Sequence, residues 1–170
     1  MHLTDLLSAD RTEVRNDAGE SALDKQEALT LLSELLARGT TIPKDVIERV
    51  LKEREALQST GIGEGVAIPH GALAELDKQV AAVLTVPAGI DFDAIDEGKV
   101  NILFAVITPK RASGEHLKTL ARVSRLLRSK AFRERLLSAT QGVDVFRLLL
   151  EEEGATYSAD TSGPKPQVKG

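Results

Sequence analysis

The stretch that most narrows what this chain can fold into is 100–107, Val-Asn-Ile-Leu-Phe-Ala-Val-Ile, apolar but for Asn101 and bounded by Asp96-Glu97-Gly98 and Thr108-Pro109. A strand with one wet face alternates apolar and polar residues, so a run without that alternation must be covered on both faces. It predicts a central strand with helices above and below. Residues 80–86 form a second β-branched and small apolar run, ended by Pro87 and Gly89, and predict a companion strand. A brief third strand, 66–68, ends at Pro69, whose ring fixes φ and removes an amide. Residues 12–15 are a candidate first strand, preceded by a short apolar piece at 3–7.

Helical signals fill the remainder. Asp24 with Glu27 forms a capping pair, after which Ala28, Leu32, Leu35 and Leu36 recur at helical spacing until Gly39 supplies a stop. Pro43 suits the first turn of a second helix with Val46, Ile47, Val50, Leu51 and Leu57 facing inward. Arg54, four residues after Val50 and three after Leu51, leans along that apolar face. Ser113 is placed to cap a third helix, with His116 in its first turn and Leu117, Leu120, Ala121 and Leu127 inward. Helical segments at 132–137 and 143–150 follow, separated by Gly142. One domain is expected over 1–153. Residues 154–170, with two prolines and three glycines, are predicted to be a disordered tail.

Composition excludes several function classes. A chain of 170 residues supports one core and buries roughly 70% of its unfolded surface. Aromatic residues are only 3% and Trp is absent, which leaves no stacking platform for single-stranded nucleic acid, and a net charge of −4 argues against a nucleic-acid partner. The absence of Cys removes disulfides, thiolate catalysis and thiolate zinc sites, and suits a reducing compartment. Neither a leader pattern nor an apolar run of the ~20 residues needed to cross a bilayer is present, so a cytoplasmic location without direct membrane insertion is expected.

The chemistry concentrates in 59–71, Ser-Thr-Gly-Ile-Gly-Glu-Gly-Val-Ala-Ile-Pro-His-Gly. Gly61, Gly63 and Gly65 free the backbone for positive φ and for turning amides towards an anion. Ser59 and Thr60 add hydroxyls, and Arg54 adds a guanidinium that grips phosphate bidentately. His70 stands at the exit of the short strand, the edge where α/β sheets bind ligands. His116, in a first helical turn, feels the positive end of the helix dipole, which favours neutral imidazole. Glu64 is a candidate for holding the His70 ring in one tautomer or stabilising its cation. His2, beside the initiator Met, carries no expected role.

Other motifs are poorer matches. The glycines miss the dinucleotide fingerprint and no lysine completes a P-loop. The spacing supports no metal site, and the chain lacks a nucleophile elbow. From Lys110 to Arg135, nine basic residues stand against two acidic ones, which reads as a solvated helix face or a docking patch.

The run Arg54-Glu55, Ser59-Thr60-Gly61-Ile62-Gly63 and Ala67-Ile68-Pro69-His70-Gly71 resembles the signature of phosphotransferase-system enzyme IIA domains of the mannitol/fructose type. The nitrogen-type regulatory branch is the nearest. Phe92-Asp93-Ala94-Ile95-Asp96, the strand at 100–107 and His116-Leu117 extend the likeness over about 3–152. The resemblance implies a mixed, five-stranded α/β sheet flanked by helices on both faces. It implies that His70 accepts a phosphoryl group on Nε2 from an HPr-like phosphocarrier, that His116 hydrogen-bonds at the same site, and that Arg54 supports the phosphate, with no metal or cofactor. Regulated transporters and sensor kinases are the further partners it suggests. Glu64 departs from many nitrogen-type members, which carry an amide there, and matches the mannitol type. The chain stands without sugar-specific or membrane-spanning domains, which favours regulation. A sugar-uptake subunit and a non-enzymatic anion- or partner-binding module are the alternatives.

Overall fold

The computed structural model describes residues 2–16 and 23–162. Their order is β1 (Thr12–Val14), α1 (Lys25–Ala37), α2 (Lys44–Leu57), β2 (Gly61–Gly63), β3 (Val66–Ala67), β4 (His70–Leu73), β5 (Val80–Ile90), β6 (Val100–Pro109), α3 (Ser113–Leu126), α4 (Lys130–Ser138) and α5 (Gly142–Ser162). Short 3-10 turns at Leu3–Leu6, Ala9–Arg11 and Lys110–Ala112 complete the connections described.

The sheet is mixed. β1 lies parallel to β5, β5 antiparallel to β6, and β6 carries both β3 and β4 parallel on its other side, with β2 antiparallel to β3 outermost. β3 and β4 are two halves of one rank: Val66 pairs with Ile102 and His70 with Val106 on the same neighbour. The expected five-stranded sheet is therefore present as five ranks, one broken at Ile68-Pro69. The short strand ends before Pro69 as expected, but a new one follows it at once. The proline cannot donate, but its carbonyl accepts from Val106 N at 2.9 Å and the pairing resumes one residue later. His70 thus opens β4 instead of closing β3.

The sheet's centre is apolar on both faces, as β6 requires. Ala82, Leu84, Leu103, Ala105 and Ile107 pack against α1 and α2. Ala81, Val83, Ile102, Phe104 and Val106 pack against the N-terminal turn and α3, α4 and α5. Successive side chains along a strand point to opposite faces, so one continuous apolar run supplies both cores.

The helices follow their local signals with five differences. Asp24 caps α1 by accepting from Glu27 N at 2.8 Å, and Glu27 Oε1 returns a bond from Asp24 N. In α2 the buried line is Ile47, Leu51 and Glu55, while Leu57 is 82% exposed at the helix end. Ser113 does not cap α3, because the 3-10 turn in front makes it the first helical residue and puts Ala112 at the cap. α3 buries Thr119, Val123 and Leu126, leaving Leu117 68% exposed and Ala121 exposed. Its apolar residues spread over more than one face, so spacing alone does not choose between them. Gly142 opens α5 instead of merely separating two helices: its carbonyl accepts the Thr12 hydroxyl, and a Cβ there would lie 2.0 Å from Thr12 O. α5 continues through the first part of the predicted tail, to Ser162, and 163–170 lie outside the described residues. Among the described residues no helix is long and apolar enough to cross a membrane.

Candidate functional site

His70 stands where the broken rank restarts, between the end of α2 and α3. Gly71 behind it carries no side chain because α2 passes too close, a Cβ there lying 2.4 Å from Val50 Cγ1. The His70 ring is fixed by its own backbone: Nδ1 is 2.7 Å from the carbonyl oxygen of Ile68. A carbonyl only accepts, so Nδ1 carries the proton and Nε2 keeps its lone pair. The ring is half-buried in a cleft of ≈ 290 Å³ whose walls include Arg54, the 58–62 loop, Ile95 and Leu120. Burial lowers its pKa first and the Arg54 charge adds to that, against the opposing pull of the Ile68 hydrogen bond and Glu55.

The second imidazole is adjacent. The His116 ring centroid is 5.2 Å from that of His70, tilted by 54°. Its pKa is lowered to about 4, by burial and then by His70. His116 Nδ1 is buried without a hydrogen-bond partner among the described residues. Both rings are therefore neutral at pH 7, one with its Nε2 lone pair free and the other holding an unspent polar atom. Arg54 flanks His70 in the same cleft, its Nη1 donating to the carbonyl of Gln58 at 2.7 Å.

Ser59, Thr60 and Gly61 join the cleft wall, but their donors are engaged in holding the loop. The Ser59 hydroxyl donates to Phe92 O at 2.9 Å and accepts from Gly61 N at 3.0 Å. The Thr60 hydroxyl donates to Glu55 Oε1 at 2.6 Å and its amide to Oε2 at 3.0 Å. The expectation of these groups as an anion cradle is corrected: they shape the wall, and Arg54 with the imidazoles supplies the polarity. Gly63 and Gly65 take the positive φ expected of them, +98° and +79°, whereas Gly61 makes room for Ala94, whose Cβ would be 2.8 Å from a Cβ placed there.

Glu64 is a further correction. It sits at φ 58 in the β2–β3 turn, which swings its carboxylate towards Arg133 Nη2 at 3.3 Å, with 77% of the side chain exposed. It does not orient His70, whose ring is held by Ile68. His2 lies at the start of the first 3-10 turn, its amide donating to Asp5 Oδ2.

The residue missed in the sequence is Glu55. It is 5% exposed, anchors Thr60 through both backbone and side chain, and pairs with Lys25 Nζ at 3.1 Å. Lys25 also reaches Asp93 Oδ2 at 3.3 Å and sits 4.9 Å over the Phe92 ring. This ties α1, α2, the 58–62 loop and the 91–96 loop together behind the cleft. The signal was the spacing: Glu55 follows Ile47 and Leu51 at steps of four, so it, rather than Arg54, points inward.

A mixed α/β sheet that presents one tautomer-fixed imidazole in an open cleft, beside a second neutral imidazole and a guanidinium, has the arrangement of a phosphotransfer domain. The family model for the phosphoenolpyruvate-dependent sugar phosphotransferase system, EIIA 2, matches residues 11–152, and the chain belongs to that family. It is 37% identical over 136 residues to the nitrogen regulatory protein of Escherichia coli (strain K12), covering 79% of this chain and 83% of that one. It is 33% identical over 133 residues to the PTS system fructose-specific EIIA component of Haloferax volcanii, covering 78% and 86%. Nitrogen regulatory protein IIA-Ntr from Neisseria meningitidis, known from a crystal structure, matches with a TM-score of 0.76 at 27% identity, over 86% of this chain and 98% of that one.

Proposed function

We propose that this chain is a histidine phosphoryl-relay protein of the phosphotransferase system, acting in the cytoplasm and regulating partners by its phosphorylation state. His70 Nε2 attacks the phosphorus of a phosphohistidine on an HPr-like carrier. The new N–P bond forms as the donor's P–N bond breaks, whose electron pair returns to the donor imidazole. Nδ1 keeps its proton on the Ile68 carbonyl, so no proton leaves His70 in the step. Charge on the transferring group spreads over its equatorial oxygens, where Arg54 and a hydrogen bond from His116 stabilise it by position. The observation that carries this reading is the 2.7 Å contact from Nδ1 to Ile68 O, which leaves Nε2 as the free nucleophile in an open cleft.

Similarity to nitrogen regulatory proteins supports a regulatory role, with transporters and sensor kinases as candidate targets. The fructose-specific relative supports a second reading, a subunit that passes the phosphate on towards sugar. Incubation with the cognate carrier, enzyme I and phosphoenolpyruvate tests the relay. An acid-labile, base-stable phosphate is expected on the wild type and none on His70→Ala. Equal labelling of both proteins, or none with active components, refutes it. Onward transfer to a sugar-specific subunit would select the second reading.

A further inference from the structure

We infer that Gln79 is a positioning residue for the His70 site: its buried side-chain amide ties α3 to β6 and so sets where His116 stands against His70. The effect on transfer rests on the relay reading, whereas the placement of His116 does not. The two imidazoles are held differently. His70 is fixed by its own backbone through Ile68 O, whereas His116 Nδ1 is buried without a hydrogen-bond partner among the described residues. With no such bond on that nitrogen, the 5.2 Å between the ring centroids depends on how α3 is seated.

That seat is narrow at the end that carries His116. Across residues 113–122 of α3 the one buried side chain is Thr119, which lies one turn beyond His116. Leu120 is half-buried and makes the apolar contact on the cleft side. The Thr119 hydroxyl donates to Gln79 Oε1 at 2.8 Å, and Gln79 Nε2 donates to the Thr108 hydroxyl at 3.1 Å. All three residues are buried. Thr108 is opposite Ala72 of β4 just as Val106 is opposite His70, so the brace meets β6 beside the pairing that places His70. Ahead of the helix, Arg111 donates to Leu76 O at 3.3 Å and Asp77 O at 3.0 Å, which brings the approach to α3 onto the same connection between β4 and β5. A carboxamide accepts at one end and donates at the other, as this bridge between two hydroxyls uses it. Apolar contact alone lets a helix roll or slide, whereas directed bonds from a buried amide hold it in one place.

Gln79→Leu removes both bonds, Thr119→Val removes one at nearly constant shape, and Thr119→Ser keeps the hydroxyl. The test reads NMR of the histidine rings alongside rapid-quench transfer from the phosphorylated HPr-type carrier. In the wild type, NOEs between the His70 and His116 rings and a His116 pKa near 4 are expected. Gln79→Leu and Thr119→Val should weaken those NOEs, raise that pKa towards 6.5, and lower kcat for transfer about tenfold at unchanged KM. Thr119→Ser should stay close to the wild type. In a His116→Ala background, Gln79→Leu should slow transfer no further, because it acts through that ring. Wild-type NOEs and titration in the folded variants overturn the inference, as does unchanged transfer where the rings have separated. Thr119→Ser as slow as Thr119→Val, or slowing that multiplies with His116→Ala, overturns it too. If Gln79→Leu does not fold, Thr119→Val takes its place in each comparison. A wild type that accepts no phosphate, while the variants still displace His116, would refute the relay and leave the positioning of His116 by Gln79 standing.

Discussion

The centre of the sheet and the rim of the cleft are built on opposite principles. Along β6, the side chains of Ile102 to Ile107 are at 0% exposure and belong to the two apolar cores. Around His70 the structure depends on a few directed bonds: Nδ1 to Ile68, Thr60 to Glu55, Ser59 to Phe92. Apolar burial is non-directional and tolerates small shifts, whereas a nucleophilic ring must be aimed, and only hydrogen bonds fix a tautomer and an orientation. The centre is therefore built for stability and the rim for orienting the His70 ring, and Glu55 is where the two meet.

Changes of decreasing size test that division. Phe104→Ala removes a fully buried ring from β6 and should cost about 3–5 kcal/mol in urea unfolding, while phosphate acceptance by the folded fraction keeps its rate. Glu55→Ala leaves Lys25 without its buried partner and Thr60 without its acceptor. A loss of about 2–3 kcal/mol is expected together with slower transfer, and Glu55→Gln should recover much of the stability. An effect of Glu55→Ala on stability alone would place it in the centre's class. Arg54→Ala should slow transfer roughly tenfold to a hundredfold by loss of phosphate stabilisation, with about 1 kcal/mol or less in stability, since it gives up one bond to Gln58 O. Normal rapid-quench transfer rates would remove Arg54 from the site. The smallest effect is pH-dependent. His116 titrates near 4 when folded and at 6.5 in the reference state, so the unfolded chain binds the extra proton between those values. Its contribution makes stability fall as pH drops from about 6.5 towards 4 and leaves it flat above. Melting temperatures of wild type and His116→Gln should converge in their pH dependence above 6.5 and diverge below.

What the sequence revealed follows the same division. The apolar runs at 80–86 and 100–107 and the Asp24–Glu27 cap announce themselves locally, because burial on both faces and capping are written in neighbouring residues. β4 is not announced: His70-Gly71-Ala72-Leu73 has no β-branched residue, and it is a strand only because β6 lies beside it. Glu55 was hidden for a similar reason, since its partner Lys25 lies on another helix and a carboxylate on an apolar stripe reads as solvent-facing. Glu64 misled by its nearness in sequence to His70; a positive φ turned it to Arg133 instead. Of the α3 residues expected inward, Leu120 and Leu127 meet the core while Leu117 and Ala121 do not, because apolar residues occupy too much of the helix circumference for periodicity to select one stripe.

The central claim is that a backbone carbonyl fixes one proton and so selects the nitrogen that reacts. The most direct measurement is 15N and 31P NMR of the phosphorylated protein with labelled histidine, which reports the ring nitrogen bonded to phosphorus. Phosphate is expected on Nε2 of His70 with Nδ1 still protonated. A phosphate on Nδ1 of His70, or on His116, would contradict it.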